Sequence, residues 1–371
     1  MKSPTGQKKI FIINSSNHFW GAEASLLIFL KSLALNEFRV VIRSKGCGFS
    51  GRLKDLNIIH EVLNLELSPR RIHFWRTVIV LCYRIYKFKS RYIYANNEDL
   101  STLLAIIRIL TAFFVKTTIH IRNPPNRFDY YKKLMFIHSN VVCNSKYTYQ
   151  SLTRYIYFYT KSKIHIVPNA HGQSSLSEQI NEITNHAQES LHPYFLTVGM
   201  INERKAQLDV VRVFKDVASN FNAKYILVGR VEDANSYSEK LEDFVKHHQL
   251  QNRVLIRSFE ANLDATYSQA VATIVPSKSE TFGRVVIESG FYGTPVIVRD
   301  IEPLREIIEH GVNGLIWNGE NDHLENLMHI LLRDCEYRNV LGKNLRSKVV
   351  NNFSNRKYIY SLKSLILDSP Q

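Results

Sequence analysis

The sequence predicts an α/β protein of two Rossmann-like, doubly wound domains facing a central cleft. Three observations predict this. The chain has 371 residues, about twice an ordinary domain. Short β-branched runs alternate with helical patterns; the alternation halts at the polar stretch 171–192 and restarts at Tyr194, which is the rhythm of βαβ units. Hydrophobic residues make up 45% and charged residues 22%, enough to bury two sizeable cores. The expected division is an N-terminal domain over 1–170, a linker over 171–192, a C-terminal domain over 193–350, and a closing helix within 351–371 that packs back on the first domain.

The first half reads in order. Lys9–Ile13 is a buried strand by composition, Asn14–Trp20 a polar loop, and Gly21-Ala22-Glu23 opens a helix to about Leu35. Gly21 lets backbone approach a ligand closely, or marks a plain strand-to-helix turn. The dinucleotide fingerprint GxGxxG is absent, so NAD is not indicated. Strands follow at Arg39–Arg43 and Ile58–Leu63, with a short helix at Phe49–Leu56 between them. Pro69–Arg91 is a basic helical segment that interleaves Arg70, Arg71, Arg76, Arg84, Lys87, Lys89 and Arg91 with aromatic and aliphatic residues. It reads either as a helix lying on an anionic membrane or as a crossover helix with a solvated basic face. Tyr92–Ala95 is a strand, Leu100–Leu110 a helix and Val115–Ile121 a strand. That strand carries His120 near its carboxyl end, where a side chain is expected to face the crevice. Arg122–Arg127 is the loop after it. Asn140–Asn144 is a strand, Ser145 caps a helix to about Tyr155, and Ile164–Asn169 is the last strand of this half.

The second half repeats the pattern. Tyr194–Val198 is a strand, Gly199–Lys205 a loop with adjacent Arg204 and Lys205, and Leu208–Val217 a helix. Tyr225–Val228 is a strand tipped by Gly229-Arg230. Ser238–His247, Arg253–Ile256 and Asn262–Ala270 read as helix, strand and helix. After Trp317, helices run over Asn321–Arg333, Glu336–Asn351 and Asn355–Leu367.

The most informative stretch is Pro276–Trp317. A strand, Ala272–Pro276, runs into the loop Glu280-Thr281-Phe282-Gly283. A helix follows from Arg284, and then a second strand, Thr294–Val298. In open α/β sheets such a unit binds ligands at the carboxyl end of its strands. The helix start offers unpaired N–H groups and a dipole that favours an anion. Glu280 and Glu288, eight positions apart, bracket that start and suit a hydroxyl-rich ligand, since a carboxylate accepts several hydrogen bonds.

Charge is distributed unevenly. Residues 1–170 hold 26 Lys and Arg against 8 Asp and Glu, whereas 171–371 hold 22 against 25. A basic half beside a near-neutral one points the first half at something anionic: a phospholipid surface, a lipid diphosphate or nucleic acid. No nucleic-acid motif appears. The four cysteines are scattered with no CxxC pair, so no zinc site or disulfide framework is expected, and a reduced cytoplasmic setting is the simplest reading. The N-terminus lacks a signal-peptide core, and no apolar run is long enough to span a bilayer.

These residues resemble the retaining glycosyltransferases of the GT-B fold, family 4 (glycosyl transferases group 1). The resemblance covers nearly the whole chain. Its most specific part is PSKSETFGRVVIESGFYGTPVIV. Trp20-Gly21-Ala22-Glu23, His120 with Arg122, Val167-Pro168-Asn169 and Val198-Gly199…Lys205 support it. The resemblance implies transfer of a sugar from a nucleotide-diphosphate sugar to a glycan or lipid-linked acceptor, with donor on the C-terminal and acceptor on the N-terminal domain. It gives Glu288 the ribose hydroxyls. Glu280, Thr281 and the Phe282-Gly283 backbone take the sugar, with Arg284 beside them. Lys205 takes the diphosphate, with Arg204 or Arg230 as a second cation, and Gly199 and Gly21 allow close approach. His120 lies near the transferred sugar, and Arg70, Arg71, Arg76, Arg84, Lys87 and Arg122 face acceptor or membrane. No Asp-x-Asp motif occurs, so no metal or other cofactor is expected. The chain departs from the family at Met200, Ala206, Thr281 and Ala170-His171-Gly172. The expected setting is bacterial surface polysaccharide synthesis (lipopolysaccharide, O-antigen or capsule) on the inner face of the cytoplasmic membrane. A catalytically silent assembly subunit and a GT-B sugar-nucleotide epimerase are the alternatives.

Overall fold

The computed structural model describes residues 8–16, 18–19, 21–43, 48–125, 134, 136–155, 163–170, 193–230, 236–258 and 263–367. The expected linker 171–192, Trp20 and Arg127 lie outside the described residues. The chain divides into two units, residues 1–172 with 355–371, and residues 173–354.

Unit 1 opens with β1 (Ile10–Asn14), α1 (Gly21–Lys31), β2 (Phe38–Ile42), α2 (Gly48–Asp55) and β3 (His60–Val62). It continues with α3 (Ile72–Phe88), β4 (Tyr92–Ala95), α4 (Ser101–Leu110), β5 (Lys116–Ile121), β6 (Asn140–Cys143), α5 (Lys146–Thr153) and β7 (Ile164–Ile166). The strands form one parallel sheet in the order β3-β2-β1-β4-β5-β6-β7, with Ile12 opposite Val40 on one side and Tyr94 on the other. Strand alternation sends Phe11 and Ile13 to one face and Ile10 and Ile12 to the other. The first face packs α3 and α4 through Phe74, Val78, Leu81, Leu103 and Ile107. The second packs α1 and α2 through Leu26, Phe29, Phe49 and Leu53.

Unit 2 contains β8 (Tyr194–Val198), α6 (Gln207–Asn220), β9 (Lys224–Val228), α7 (Ser236–His247), β10 (Val254–Arg257), α8 (Asp264–Ser268) and β11 (Ala272–Val275). Then come α9 (Arg284–Phe291), β12 (Val296–Arg299), α10 (Glu302–Arg305), β13 (Leu315–Trp317), α11 (Asn321–Arg333) and α12 (Cys335–Asn352). Its sheet runs β10-β9-β8-β11-β12-β13, all parallel. α6, α7 and α11 cover one face and α9 and α12 the other.

The closing helix α13 (Asn355–Leu367) returns to unit 1. It buries Tyr358, Leu362 and Ile366 against Ile10, Phe29 and Tyr94. Burying one such side chain is worth about 1.5–3 kcal/mol, so these three hold the helix without a covalent clip.

Two sequence expectations need correction. The basic helix starts at Ile72, not Pro69, and stops at Phe88. There Lys89 turns left-handed (φ 56°) and its N–H caps the carbonyls of Ile85 and Tyr86. The stretch after Val298 also holds a short helix, α10, and an edge strand, β13, which the sequence reading passed over because each has only three or four residues.

Candidate active site

In unit 2 the strand order reverses between β8 and β11. Loops leaving the carboxyl ends of two such strands part in opposite directions and open a crevice. The loop after β8 spans 199–206 and the loop after β11 spans 276–283. They are laced together. The Lys278 N–H donates to the Arg204 carbonyl at 2.9 Å and Arg204 Nη1 to the Ser279 carbonyl at 3.0 Å. The Lys205 ammonium forms an ion pair with the Glu280 carboxylate. Each of those side chains is about one-seventh exposed, at 15% and 13%, so the pair is largely withdrawn from water yet still open to a ligand. Lys205 is held from its own backbone by Asn202, whose carbonyl and side chain both accept its N–H. Its side chain lies across Gly199, where an added Cβ would meet Cε at 3.6 Å.

Gly283 caps α9 in a left-handed conformation (φ 88°), and a Cβ there would stand 2.5 Å from Leu304 Cδ2. Phe282 is buried and meets the edge of Phe353, ring centroids 5.8 Å apart. This anchor fixes the loop at the amino end of α9, where the Val286 N–H donates to the Gly283 carbonyl at 3.0 Å. One turn on, each carboxylate oxygen of Glu288 has one donor. Arg284 Nε donates to Oε1 at 2.7 Å and the Tyr267 hydroxyl to Oε2 at 2.9 Å. Tyr267 is itself stacked on Tyr292 at 5.7 Å. Burial, together with the negative charge of Glu288, raises the Tyr267 hydroxyl well above its usual range, so it remains a donor. Behind the loops, Arg299 bonds the Pro276 carbonyl, pairs with Asp209 at 2.6 Å and lies over the Trp317 ring at 4.3 Å.

The structure therefore brings Gly199, Arg204, Lys205 and Glu280 together, and sets Gly283 at the cap of α9 with Arg284 and Glu288 in the helix. Thr281 and Phe282 join the two groups. Lys205 and Glu280 face each other, where the sequence reading had assigned them separately to phosphate and sugar. Opposite charges on facing loops attract. Arg230 is exposed at the tip of β9, where its carbonyl accepts the Ile201 N–H at 3.0 Å. Sequence reasoning missed Tyr267, Asp209 and Arg299. None carries a motif, and each reaches the site through a side chain from another element.

Gly21, His120 and Arg122 belong to unit 1. Gly21 opens α1, where its carbonyl accepts the Ser25 hydroxyl. His120 was expected to face a crevice; it is fully buried. It sits one residue short of the end of β5, and strand alternation turns it onto the same face as Tyr94, whose hydroxyl lies 2.8 Å from Nδ1. Burial and the adjacent Arg122 charge push its pKa well below the usual range, so it stays neutral. Arg122 was expected to meet acceptor or membrane, but it too is buried. It donates to Asn169 and Asn96 side chains at 2.5 Å each and to the Asn96 carbonyl at 3.2 Å, fastening together the segments after β4, β5 and β7. The basic residues on and beside α3 are otherwise at the surface. Arg70, Arg76 and Lys87 are exposed, while Arg71 pairs with Glu66 and Arg84 with Glu61.

Ala206 explains a departure seen in the sequence. It precedes α6 with φ 54°, in the left-handed region. A Cβ there costs roughly 1–2 kcal/mol, a cost that a glycine would avoid. Ala206→Gly is expected to stabilise unit 2 by about 1 kcal/mol and raise its melting temperature by roughly 2–4 °C. Differential scanning fluorimetry checks this; an unchanged or lower midpoint contradicts it.

A parallel sheet whose strand order reverses, present in each unit, is the architecture of the GT-B fold. Residues 178–348 match the model of the glycosyl transferases group 1 family. The chain is 26% identical over 176 residues to the N-acetyl-alpha-D-glucosaminyl L-malate synthase of Bacillus anthracis, covering 47% of this chain and 45% of that protein. It is 27% identical over 170 residues to the capsular polysaccharide biosynthesis glycosyltransferase CapM of Staphylococcus aureus, covering 45% and 44%. The matches thus span about half the length of these curated relatives. Across nearly the full length, the chain is similar in fold to Anabaena Alr3699/HepE solved with UDP and glucose. The TM-score is 0.80 at 18% identity, covering 98% of this chain and 100% of that one.

Proposed function

We propose that the chain is a retaining, metal-independent glycosyltransferase. It moves a sugar from a nucleotide-diphosphate sugar to a glycan or lipid-linked acceptor in bacterial surface polysaccharide synthesis (lipopolysaccharide, O-antigen or capsule), at the inner face of the cytoplasmic membrane. The observation that carries this reading is the Lys205–Glu280 pair at the β8–β11 switch point, beside the amino end of α9. A diphosphate entering there exchanges the carboxylate partner of Lys205 for a phosphate. Glu280, released, accepts from sugar hydroxyls. Glu288 has given one acceptor position on each oxygen to Arg284 and Tyr267, and the remaining lone pairs take ribose hydroxyls.

As the bond from the sugar to the diphosphate breaks, negative charge grows on the phosphate oxygen. Lys205 and the positive end of the α9 dipole stabilise that charge from fixed positions. The acceptor hydroxyl attacks the oxocarbenium-like sugar from the face the leaving group departs, and the departing phosphate takes its proton. The UDP and glucose held by the fold relative and the capsule role named for the Staphylococcus relative support the substrate class and setting.

A thermal-shift series with UDP, GDP, ADP and CMP tests the donor site. One nucleoside diphosphate is expected to raise the unfolding temperature, since a ligand present at a hundred times its dissociation constant stabilises by about 2.7 kcal/mol. A flat response to all four and to their sugar conjugates would sink the reading.

A further inference from the structure

α3 has two apolar faces. Phe74, Val78, Leu81 and Ile85 point into the core of unit 1. On the opposite side Ile72, Trp75, Ile79, Tyr83 and Tyr86 form a stripe open to solvent along the whole helix, with Ile72 80% and Tyr86 82% exposed. A crossover helix needs only one apolar face. Arg76 and Lys87 flank the stripe at helical spacing, Arg70 and Arg71 stand before its start, and no Asp or Glu occurs between Glu66 and Glu98.

A second apolar group lies at the end of α4, which packs beside α3 on the same face of the sheet. Ile109, Leu110, Phe113 and Phe114 are each at least half exposed. Ala112 and Phe113 both take left-handed backbone (φ 48° and 61°), a costly arrangement for side chains with a Cβ, and it turns the two phenylalanines outward. Arg108 lies over Phe113 and Arg91 over Phe114, at 5.3 and 4.3 Å. Each cation thus sits against an apolar ring.

We infer that the outer face of α3, together with the aromatic end of α4, is the surface by which this chain docks on an anionic lipid bilayer, α3 lying in the plane of the headgroups. Aliphatic residues and Trp on one stripe with Arg and Lys along its edges match an interfacial helix. A second copy of the chain fits less well. It would bring Arg76 and Lys87 against like charges, with no carboxylate on the helix to answer them. The inference supplies a surface for the membrane setting proposed above and does not depend on sugar transfer.

Co-sedimentation of the full chain with phosphatidylglycerol and phosphatidylcholine vesicles tests it. Phosphatidylglycerol is expected to bind at least about tenfold more tightly, with the preference falling as salt screens the basic flank. Ile79→Asp is expected to lower that binding by a further factor of about ten or more, since a charge replaces an inserted side chain. Its melting temperature and nucleotide-induced thermal shift should match the parent, which separates failure of the docking face from failure of the donor site. Equal binding to both lipids, or undiminished binding by Ile79→Asp, overturns the inference. A concentration-dependent dimer that Ile79→Asp disperses, with no lipid binding, reassigns the face to self-association.

Discussion

Lys205→Ala is expected to lower turnover by roughly 10²–10³, the cost of removing one fixed donor to a developing oxyanion. The side chain is one of two in a nearly desolvated ion pair at the crevice of unit 2. Its loss has two consequences that one variant cannot separate. The departing diphosphate loses a cation, and Glu280 becomes a lone carboxylate in a poorly hydrated place. Stranding a fully buried charge costs about 3–5 kcal/mol; the residual exposure here brings this to about 2. The double variant Lys205→Ala/Glu280→Gln removes the stranded charge. It should recover most of the melting temperature while turnover stays low. Steady-state assay of donor consumption beside thermal unfolding reads both. Turnover near the parent value in the single variant would take Lys205 out of the mechanism, and turnover restored in the double variant would make its role structural.

Strand and helix alternation was legible because β-branched runs such as Ile10–Ile13 and Val296–Val298 are fully buried in parallel sheets and show as unbroken apolar stretches. The switch-point loops were legible because glycine, lysine and glutamate cluster at strand ends. The facing of single residues was not. His120 is one position inside its strand, and one residue of register moves a side chain to the other face of a sheet. Arg122 looked like a surface cation because charge is usually exposed; only the packed structure supplies Asn96 and Asn169 to bury it. The α3 segment showed its basic and aromatic content plainly. What the sequence left open was whether its apolar residues made one face or two, and that depends on which of them the neighbouring sheet covers. The Lys205–Glu280 and Tyr267–Glu288 contacts join residues far apart in the chain, so no local pattern announces them.

Gly229→Ala is expected to be the most damaging single methyl addition near the site. A Cβ at Gly229 would stand 1.8 Å from the Gly199 carbonyl oxygen and 2.7 Å from its carbon, both backbone atoms that cannot rotate aside. The strand tips cannot separate cheaply either. The Gly199 N–H donates to the Val228 carbonyl at 2.9 Å, the Ile201 N–H to the Arg230 carbonyl at 3.0 Å, and the Gly229 N–H to the Arg257 carbonyl at 3.0 Å. Relieving the overlap means breaking such bonds, each worth about 1 kcal/mol net and more when its groups stay buried and unpaired. It also means moving the Gly199 loop on which Lys205 rests. A loss above about 4 kcal/mol follows, in the range kept for backbone overlap and severe overpacking. Gly51→Ala is the matched control. It lies inside α2 with nothing within 4 Å of its added Cβ, so helix propensity alone should stabilise by up to about 1 kcal/mol. Urea unfolding of the two variants should therefore shift in opposite directions. A Gly229→Ala midpoint within about 0.5 kcal/mol of the parent, the span of an ordinary surface change, would show that the β8 and β9 tips yield. The rigid seat on which the Lys205 assignment rests would go with them.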